Sequence, residues 1–473
     1  MFKNLKKIIL IIFIFLFTFS LASCNLGGNN NGNKDIYETE VPPVNTKNYR
    51  TNVKENVDEV VLEELEAGFW FFWNCANSKE GSPGYGLIPD RYNSLTDAPQ
   101  AIASIASVGF GLSAIPIGIE YGWITKEEGY DRAYKTLETL WNLTTTHGFY
   151  YHFVNRFTGI REWNSEVSVI DTAICVNGAF TVGQYFGGEM LKLAHNIYRR
   201  VEWNWYYDKA AVKFYMGYTP EKGFTGHWDE YAEQLMVYVL AAGSPTYPVG
   251  KEAYNYMKAN SKQSGTEPGK YDSFYMTWTG SLFTYQFSHS WLDFRNIRDA
   301  QGYDWFENSV NASKASLAYA VSRSDDYKTY SEVSWGATAC DGPNGYVGPY
   351  GAGPSSGNAH KVDGTIPPCG AIGSIVFTPE ASIAAMKNYR TYEKLWCKYG
   401  FKDAYNLGEQ EGYNNPDINL GSVGWYATDI IGIDKGVSVL MLENYISDFV
   451  WNMFMDNKYV QAGLENLGFT EIQ

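Results

Sequence analysis

Val53-Lys-Glu-Asn-Val-Asp-Glu-Val-Val-Leu-Glu-Glu-Leu-Glu-Ala-Gly-Phe-Trp-Phe-Phe-Trp-Asn-Cys75 carries apolar residues at Val61, Leu65, Phe69, Phe72 and Trp73. Steps of three and four put these side chains on one stripe of a helix, because a turn takes about 3.6 residues. Such a helix is stable only when another element covers the stripe. The pattern recurs along the chain. Thr125 and Glu128 form a capping box that opens a helix through Trp141. Segments 171–186, 189–201, 230–242, 303–321, 379–399 and 434–455 read as further helices. Thr378-Pro379 starts one of them, with Thr as N-cap and Pro at the first helical position. Residues 212–228 read as a hairpin turning at Thr219 to Gly223. Residues 335–375 are rich in Gly and Pro and read as long functional loops. Strands and helices do not alternate, which argues against a doubly wound sheet. The expectation is a mainly α fold, a toroid of helical hairpins whose loops at one end form the site.

The N-terminus carries a different signal. Lys3, Lys6 and Lys7 precede an apolar run from Ile8 to Ser20, which is short for a membrane span. It ends in Leu21-Ala22-Ser23-Cys24, which resembles a bacterial lipobox. The expectation is a lipoprotein signal peptide over 1–23 and a lipid anchor on Cys24, which places the protein outside the cytoplasm on a membrane at the cell envelope. An ordinary signal peptide with a chance cysteine is the alternative. Residues 24–48, Asn- and Gly-rich and then Pro-containing, read as a flexible spacer because they cannot bury a core. Residues 49–473 remain as one catalytic domain, expected to act as a monomer.

Composition narrows the chemistry. The formal charge is −15, and about −18 without the three leader lysines. With no basic patch, nucleic acid is excluded as a partner. Charged residues are 19% of the chain and aromatics 16%, so many rings either fill a core or line a cleft. Aromatic faces suit the C–H groups of sugar rings. Cys75, Cys175, Cys340, Cys369 and Cys397 lack zinc spacing; Cys340 and Cys369 flank a Gly/Pro-rich loop and are candidates for a disulfide. His147 and His152 are too isolated to suggest a metal, and no nucleophile-elbow, phosphate-loop or dinucleotide motif is present. No cofactor is implied. Carboxylates among aromatics are left, and two of them suffice to hydrolyse a glycosidic bond.

Asp171 opens an otherwise apolar helix, three residues after Ser168. Glu233 precedes the apolar run Leu235 to Leu240, where a carboxyl should have a raised pKa. Both are equally readable as first-turn helix acids. Glu166 (after Trp163), Asp341 (after Trp335), Asp90-Arg91 and Glu443 are weaker candidates; an ion pair is the plain reading of Asp90-Arg91, and helix packing that of Glu443.

Several blocks in one order resemble the glycoamylase-like family of bacterial proteins: Gly109-Phe-Gly-Leu-Ser-Ala-Ile-Pro116, Glu120-Tyr-Gly-Trp-Ile-Thr125, Val201-Glu-Trp-Asn-Trp205, Val237-Tyr-Val-Leu-Ala-Ala-Gly-Ser-Pro-Thr246, Ala404-Tyr-Asn-Leu407 and Leu442-Glu-Asn-Tyr445. The resemblance runs from about residue 60 to Phe469. It implies an (α/α)6 toroid and, through glycoside hydrolase family 144, an inverting, metal-independent β-1,2-glucanase. Its residue-by-residue implications are Glu233 as general acid, Asp171 at a carboxylate position that is often Glu, and Ser168 where many members have Asp. That last departure opens the identity of the base, for which Glu166 is a second candidate. Asp90, Arg91, Trp163, Ser168, Trp335, Asp341, Tyr346 and Trp425 are the expected substrate-binding residues. An inverting pair should stand about 6.5–9.5 Å apart, with a water between. A non-catalytic glycan-binding lipoprotein, or an enzyme on another glucan, is the competing expectation. Endo and exo action are not distinguished.

Overall fold

A computed structural model describes residues 36–408 and 424–472. Cys24, the leader and the first part of the expected spacer lie outside the described residues. Fourteen α-helices occur among the described ones: α1 Glu59–Cys75, α2 Ile105–Glu120, α3 Lys126–Asn142, α4 Val169–Phe186, α5 Gly188–Arg199, α6 Leu235–Gly243, α7 Glu252–Asn260, α8 Phe283–Gln286, α9 Trp305–Ser322, α10 Pro368–Ile372, α11 Pro379–Arg390, α12 Gly432–Ser447, α13 Phe449–Met455 and α14 Lys458–Leu467. Strands are short and sit mostly in the connections.

The apolar stripe of α1 is buried at Val61, Leu65, Phe69 and Phe72, each contributing about 1.5–3 kcal/mol. It is covered by α2, α11 and α12. Six helices form an inner ring. α2 packs on α4, α4 on α6, α10 on α12 and α12 on α2. The two remaining contacts are polar: the Met236 amide of α6 donates to Ser288 Oγ (3.0 Å) just beyond α8, and Gln286 of α8 donates to the Gly370 carbonyl of α10 (2.7 Å). α3, α5, α7, α9, α11 and α1 lie outside this ring, giving the (α/α)6 toroid. At the α2–α4 crossing the backbones touch: a Cβ on Gly109 would lie 2.2 Å from the Ile174 carbonyl oxygen, and one on Gly178 2.1 Å from that of Gly109. Only glycine permits that approach.

The expected helices are present with shifted ends. The 434–455 helix breaks at Asp448, whose φ of 57° is left-handed, into α12 and α13. The 379–399 helix stops at Arg390, and Trp396–Cys397 then pairs with Gly400–Phe401. The 230–242 helix begins only at Leu235. The hairpin over 212–228 forms from Lys213–Thr219 and Gly223–His227. Residues 36–48, read above as part of a flexible spacer, are instead held to the body. Glu38 meets Lys458 and His195 (2.9 Å), and Val44 bridges Gly187. Four residues of this segment bear side chains that find fixed partners, which the Asn/Gly count upstream does not reveal. Cys340 and Cys369 are both buried free thiols, so the expected disulfide is not formed.

Candidate active site

Short strands precede three inner helices and hand their first turns to a common end. Ile102–Ser104 leads into α2, Val167–Ser168 into α4 and Asp429–Ile431 into α12. The Ile105 amide donates to the His152 carbonyl, and the Gly432 amide to that of Asp90, so these helix starts share loops. The positive ends of the helix dipoles favour anions here.

Glu233 belongs to the turn before α6, because Gln234 folds its side chain back on Ala232 N and Glu230 O, at 2.8 Å each, and delays the helix. The Glu233 carboxyl is reachable from solvent yet lies deep among protein atoms. Burial, with a smaller push from the charge on Asp171, raises its pKa to about 7. Asp171 is the third residue of α4. Ser168 caps the helix through Asp171 N (3.1 Å) and also donates its hydroxyl to the Asp171 carboxylate. His152 Nδ1 stands 2.8 Å from Glu166 and Nε2 3.5 Å from Asp171. Burial works against a charged imidazole, but Asp171, Glu166 and Asp90 outweigh it and raise His152 to about 9. Burial likewise raises Asp171, and the His152 charge only partly offsets it. Glu166 is lowered: burial opposes its charge, but the His152 hydrogen bond and charge prevail. These three ligand-capable side chains have atoms within 4.8 Å of one another. A cation bound there would have to displace the His152 proton.

Phe153 stacks on the His152 ring at 3.7 Å between centroids and meets Trp163 edge-on at 5.1 Å. Trp163 is 61% exposed, in a left-handed turn (φ 51°), and offers a free indole beside the carboxylates.

A second acidic group adjoins the first. Arg91 pairs with Asp341 through two bonds (2.7 and 2.8 Å), with Asp90 (3.3 Å) and with Asp429 (3.6 Å). Asp341 pairs with Tyr346 across the Cys340–Gly342/Gly345–Val347 hairpin, and Arg91 lies 5.7 Å from the half-exposed Tyr346 ring. Asp403 accepts from Asp341 N at 2.6 Å. Burial raises Asp434, third residue of α12, to about 7, and raises Asp403 as well, each carboxyl near the other. Asp403 Oδ1 and Asp434 Oδ2 find no donor among the described residues other than each other's carboxyl. A buried carboxyl pair of this kind holds one proton between them.

The structure thus brings Glu233, Asp171, Glu166, Ser168, Asp90, Arg91, Asp341, Trp163 and Tyr346 to one end of the toroid. Trp335 is fully buried, with Tyr389 Oη on its backbone carbonyl at 2.7 Å, and is core rather than cleft. A Trp before a Gly-rich loop gave no local hint of that. Trp425 is half-buried against the small cluster of Cys340, Tyr350, Ala404 and Ala427. Glu443 pairs with Arg50 (3.0 Å) about three turns from the start of α12 and serves packing. His152, Asp403, Asp429 and Asp434 were not foreseen. One signal for Asp434 was available: Ile433-Asp434 repeats Ile170-Asp171 at the same step of an inner helix.

Comparison with known proteins places this geometry. Residues 226–458 match the glycoamylase family model, described as "Putative glucoamylase". The exo β-1,2-glucooligosaccharide sophorohydrolase (non-reducing end) of Parabacteroides distasonis is 29% identical over 450 residues, covering 87% of this chain. The chain spans 58% of that relative's length. The endo-β-1,2-glucanase of Chitinophaga pinensis, solved with sophorotriose and glucose, superposes with a TM-score of 0.75 at 27% identity, covering 88% of this chain and 99% of that one. The endo-β-1,2-glucanase of Talaromyces funiculosus, solved with sophorose, shares the fold at a TM-score of 0.58 and 10% identity, over 83% and 85% of the two chains.

Proposed function

We propose, from the premise that this chain belongs to the glycoamylase-like family, that it is a glycoside hydrolase cleaving β-1,2-glucan. The observation that carries the reading is the Glu233 carboxyl, on a partly exposed side chain and held protonated to about pH 7, close enough to the buried Asp171 to feel its charge. A general acid needs that combination of access and raised pKa. Glu233 protonates the leaving glycosidic oxygen. Asp171, aimed by Ser168 and His152, activates the water on the opposite face, and the product is inverted. Glu166 is a poorer base because its charge is engaged by His152; it positions the imidazole. Trp163 and Tyr346 offer ring faces to glucosyl units. Similarity to relatives that act on β-1,2-linked glucose supports that linkage.

Incubation with linear β-1,2-glucan, laminarin and starch, followed by product analysis and anomer detection by NMR, tests this. Release of α-configured reducing ends from β-1,2-glucan alone is expected; β-configured products, or release from starch, overturn it. The Ser168 departure from an acidic residue favours a second reading, a non-catalytic glycan receptor, which predicts binding without released ends in the same assay.

The lipobox-like Leu21-Ala-Ser-Cys24 supports export and anchoring, with the enzyme acting as a monomer on polymer at the envelope. Incorporation of a fatty-acid label, lost in Cys24→Ser, is the expected outcome; labelling that persists in the variant counts against it.

A further inference from the structure

A cavity of about 600 Å³ lies away from the acidic cluster. It lies between the loop after α1 (Ser82, Pro83), the end of α3 (Asn142, Thr144) and the 158–161 turn. None of Asp90, His152, Glu166, Asp171 or Glu233 lines it. The two share one wall. Neighbouring residues of an extended segment face opposite ways, and here His152 reaches Glu166 while Tyr151 lines the cavity.

Of the charged residues that line the cavity, Glu80, Lys135 and Arg161 are in ion pairs, while the exposed Glu138 carboxylate is in none among the described residues. Lys135 pairs with Glu80 (3.0 Å) and Asp131 (2.9 Å). Arg161 holds Glu221 with two bonds (2.7 and 3.1 Å), donates to the Ser165 and Asn164 carbonyls at 2.7 Å each, and covers the Tyr151 ring at 4.8 Å. An anionic ligand would have to displace those carboxylates. Besides the Glu138 carboxylate, which can accept from hydroxyls and repels anions, the cavity offers a ligand the amide of Asn142, the hydroxyl of Thr144, and apolar surface at Ile160, which is 67% exposed. That mixture suits a polyhydroxylated, uncharged chain, and the volume falls in the range of small-ligand sites.

We propose that this cavity is a second glycan site, which holds another segment of the same polymer while the catalytic site works on the first. The inference rests on the glucan-hydrolase reading above. Two linked binding events raise the effective concentration of substrate at the catalytic site, a gain that short oligosaccharides cannot use.

Asn142 and Thr144 are exposed, so arginine at both fills the cavity without touching the core. Titration of Glu233→Gln with a linear β-1,2-glucooligosaccharide should show two equivalents bound, and one when Asn142→Arg and Thr144→Arg are added. In the active enzyme the same pair should raise KM for long polymer about tenfold and leave kcat, melting temperature and turnover of short oligosaccharides unchanged. One equivalent in both backgrounds, or an unchanged KM, overturns the second site. Failure of the wild type to cleave β-1,2-glucan overturns the catalytic reading instead. In that event the titration is run with laminarin oligosaccharides, and the second site stands only if the arginine pair removes one bound equivalent.

Discussion

His152 Nδ1 lies 2.8 Å from the Glu166 carboxylate, and the same ring turns Nε2 toward Asp171 at 3.5 Å. The imidazolium thus joins the loop before α4 to the first turn of that helix, and its pKa rises from 6.5 to about 9. A proton held more tightly in the folded state stabilises that state below the unfolded value. The contribution is complete below about pH 6.5 and disappears as pH rises through about 9. At 1.36 kcal/mol per unit its size is on the order of 3 kcal/mol. Urea midpoints measured from pH 6 to 10 should fall across this window in the wild type. The His152→Gln variant should be less stable at pH 6 and nearly flat above pH 7.

Glu233 carries its proton to about pH 7. If it is the acid, kcat should fall tenfold per unit on the alkaline side of that value. Glu233→Gln should lose about 10²–10⁴-fold in kcat and keep its melting temperature, since the side chain anchors no other element. Retention of wild-type turnover by this variant would remove Glu233 from the acid role.

The helical majority was legible because amphipathic stretches announce themselves. The Thr125–Glu128 capping box closes as its residues imply, with Thr125 N to Glu128 at 2.8 Å and Glu128 N to Thr125 Oγ at 3.1 Å. Helix α2 escaped the periodicity reading for a physical reason. It is buried nearly all round and contains Gly109, Gly111, Pro116 and Gly118, so it shows no polar face and reads as broken. Only the family resemblance pointed to it. Glu233 and Asp171 stood out because each sits beside an apolar run, and Glu166 only as the acid that follows Trp163. Asp403, Asp429 and Asp434 did not, because what makes them part of the site is Arg91, more than 300 residues earlier. No local pattern records a pairing over that distance.

Glu64 of α1 and Lys435 of α12 form a fully buried ion pair that also ties down the Gly400–Phe401 strand: Phe401 N donates to Glu64 at 2.9 Å and Lys435 to Phe401 O at 3.0 Å. Removing one partner strands a charge in the core. Lys435→Met should cost about 3–5 kcal/mol, as should Glu64→Leu. The double variant should cost less than the two together, because no isolated charge remains. Denaturant unfolding of all four proteins gives the coupling energy, and strict additivity would mean that the pair is not coupled.

Arg91 faces Asp90, Asp341 and Asp429, and it is the cation that lets these carboxylates stay close together at the mouth of the ring. Its planar fork serves two carboxylates at once, Nη1 reaching both oxygens of Asp341 while Nε faces Asp90. A lysine supplies the charge but not the fork. Arg91→Lys should therefore keep most of the stability while loosening the 340–347 hairpin that presents Tyr346, which raises KM for glucan more than it lowers kcat. Arg91→Met removes the charge itself, and the like charges left behind should cost about 3–5 kcal/mol. The mutual repulsion also favours protonation, so the stability lost in Arg91→Met should be partly regained as pH drops from 7 toward 4. Melting temperatures across that range check the sign: a deficit that widens at acid pH would mean that Arg91 is not neutralising these carboxylates.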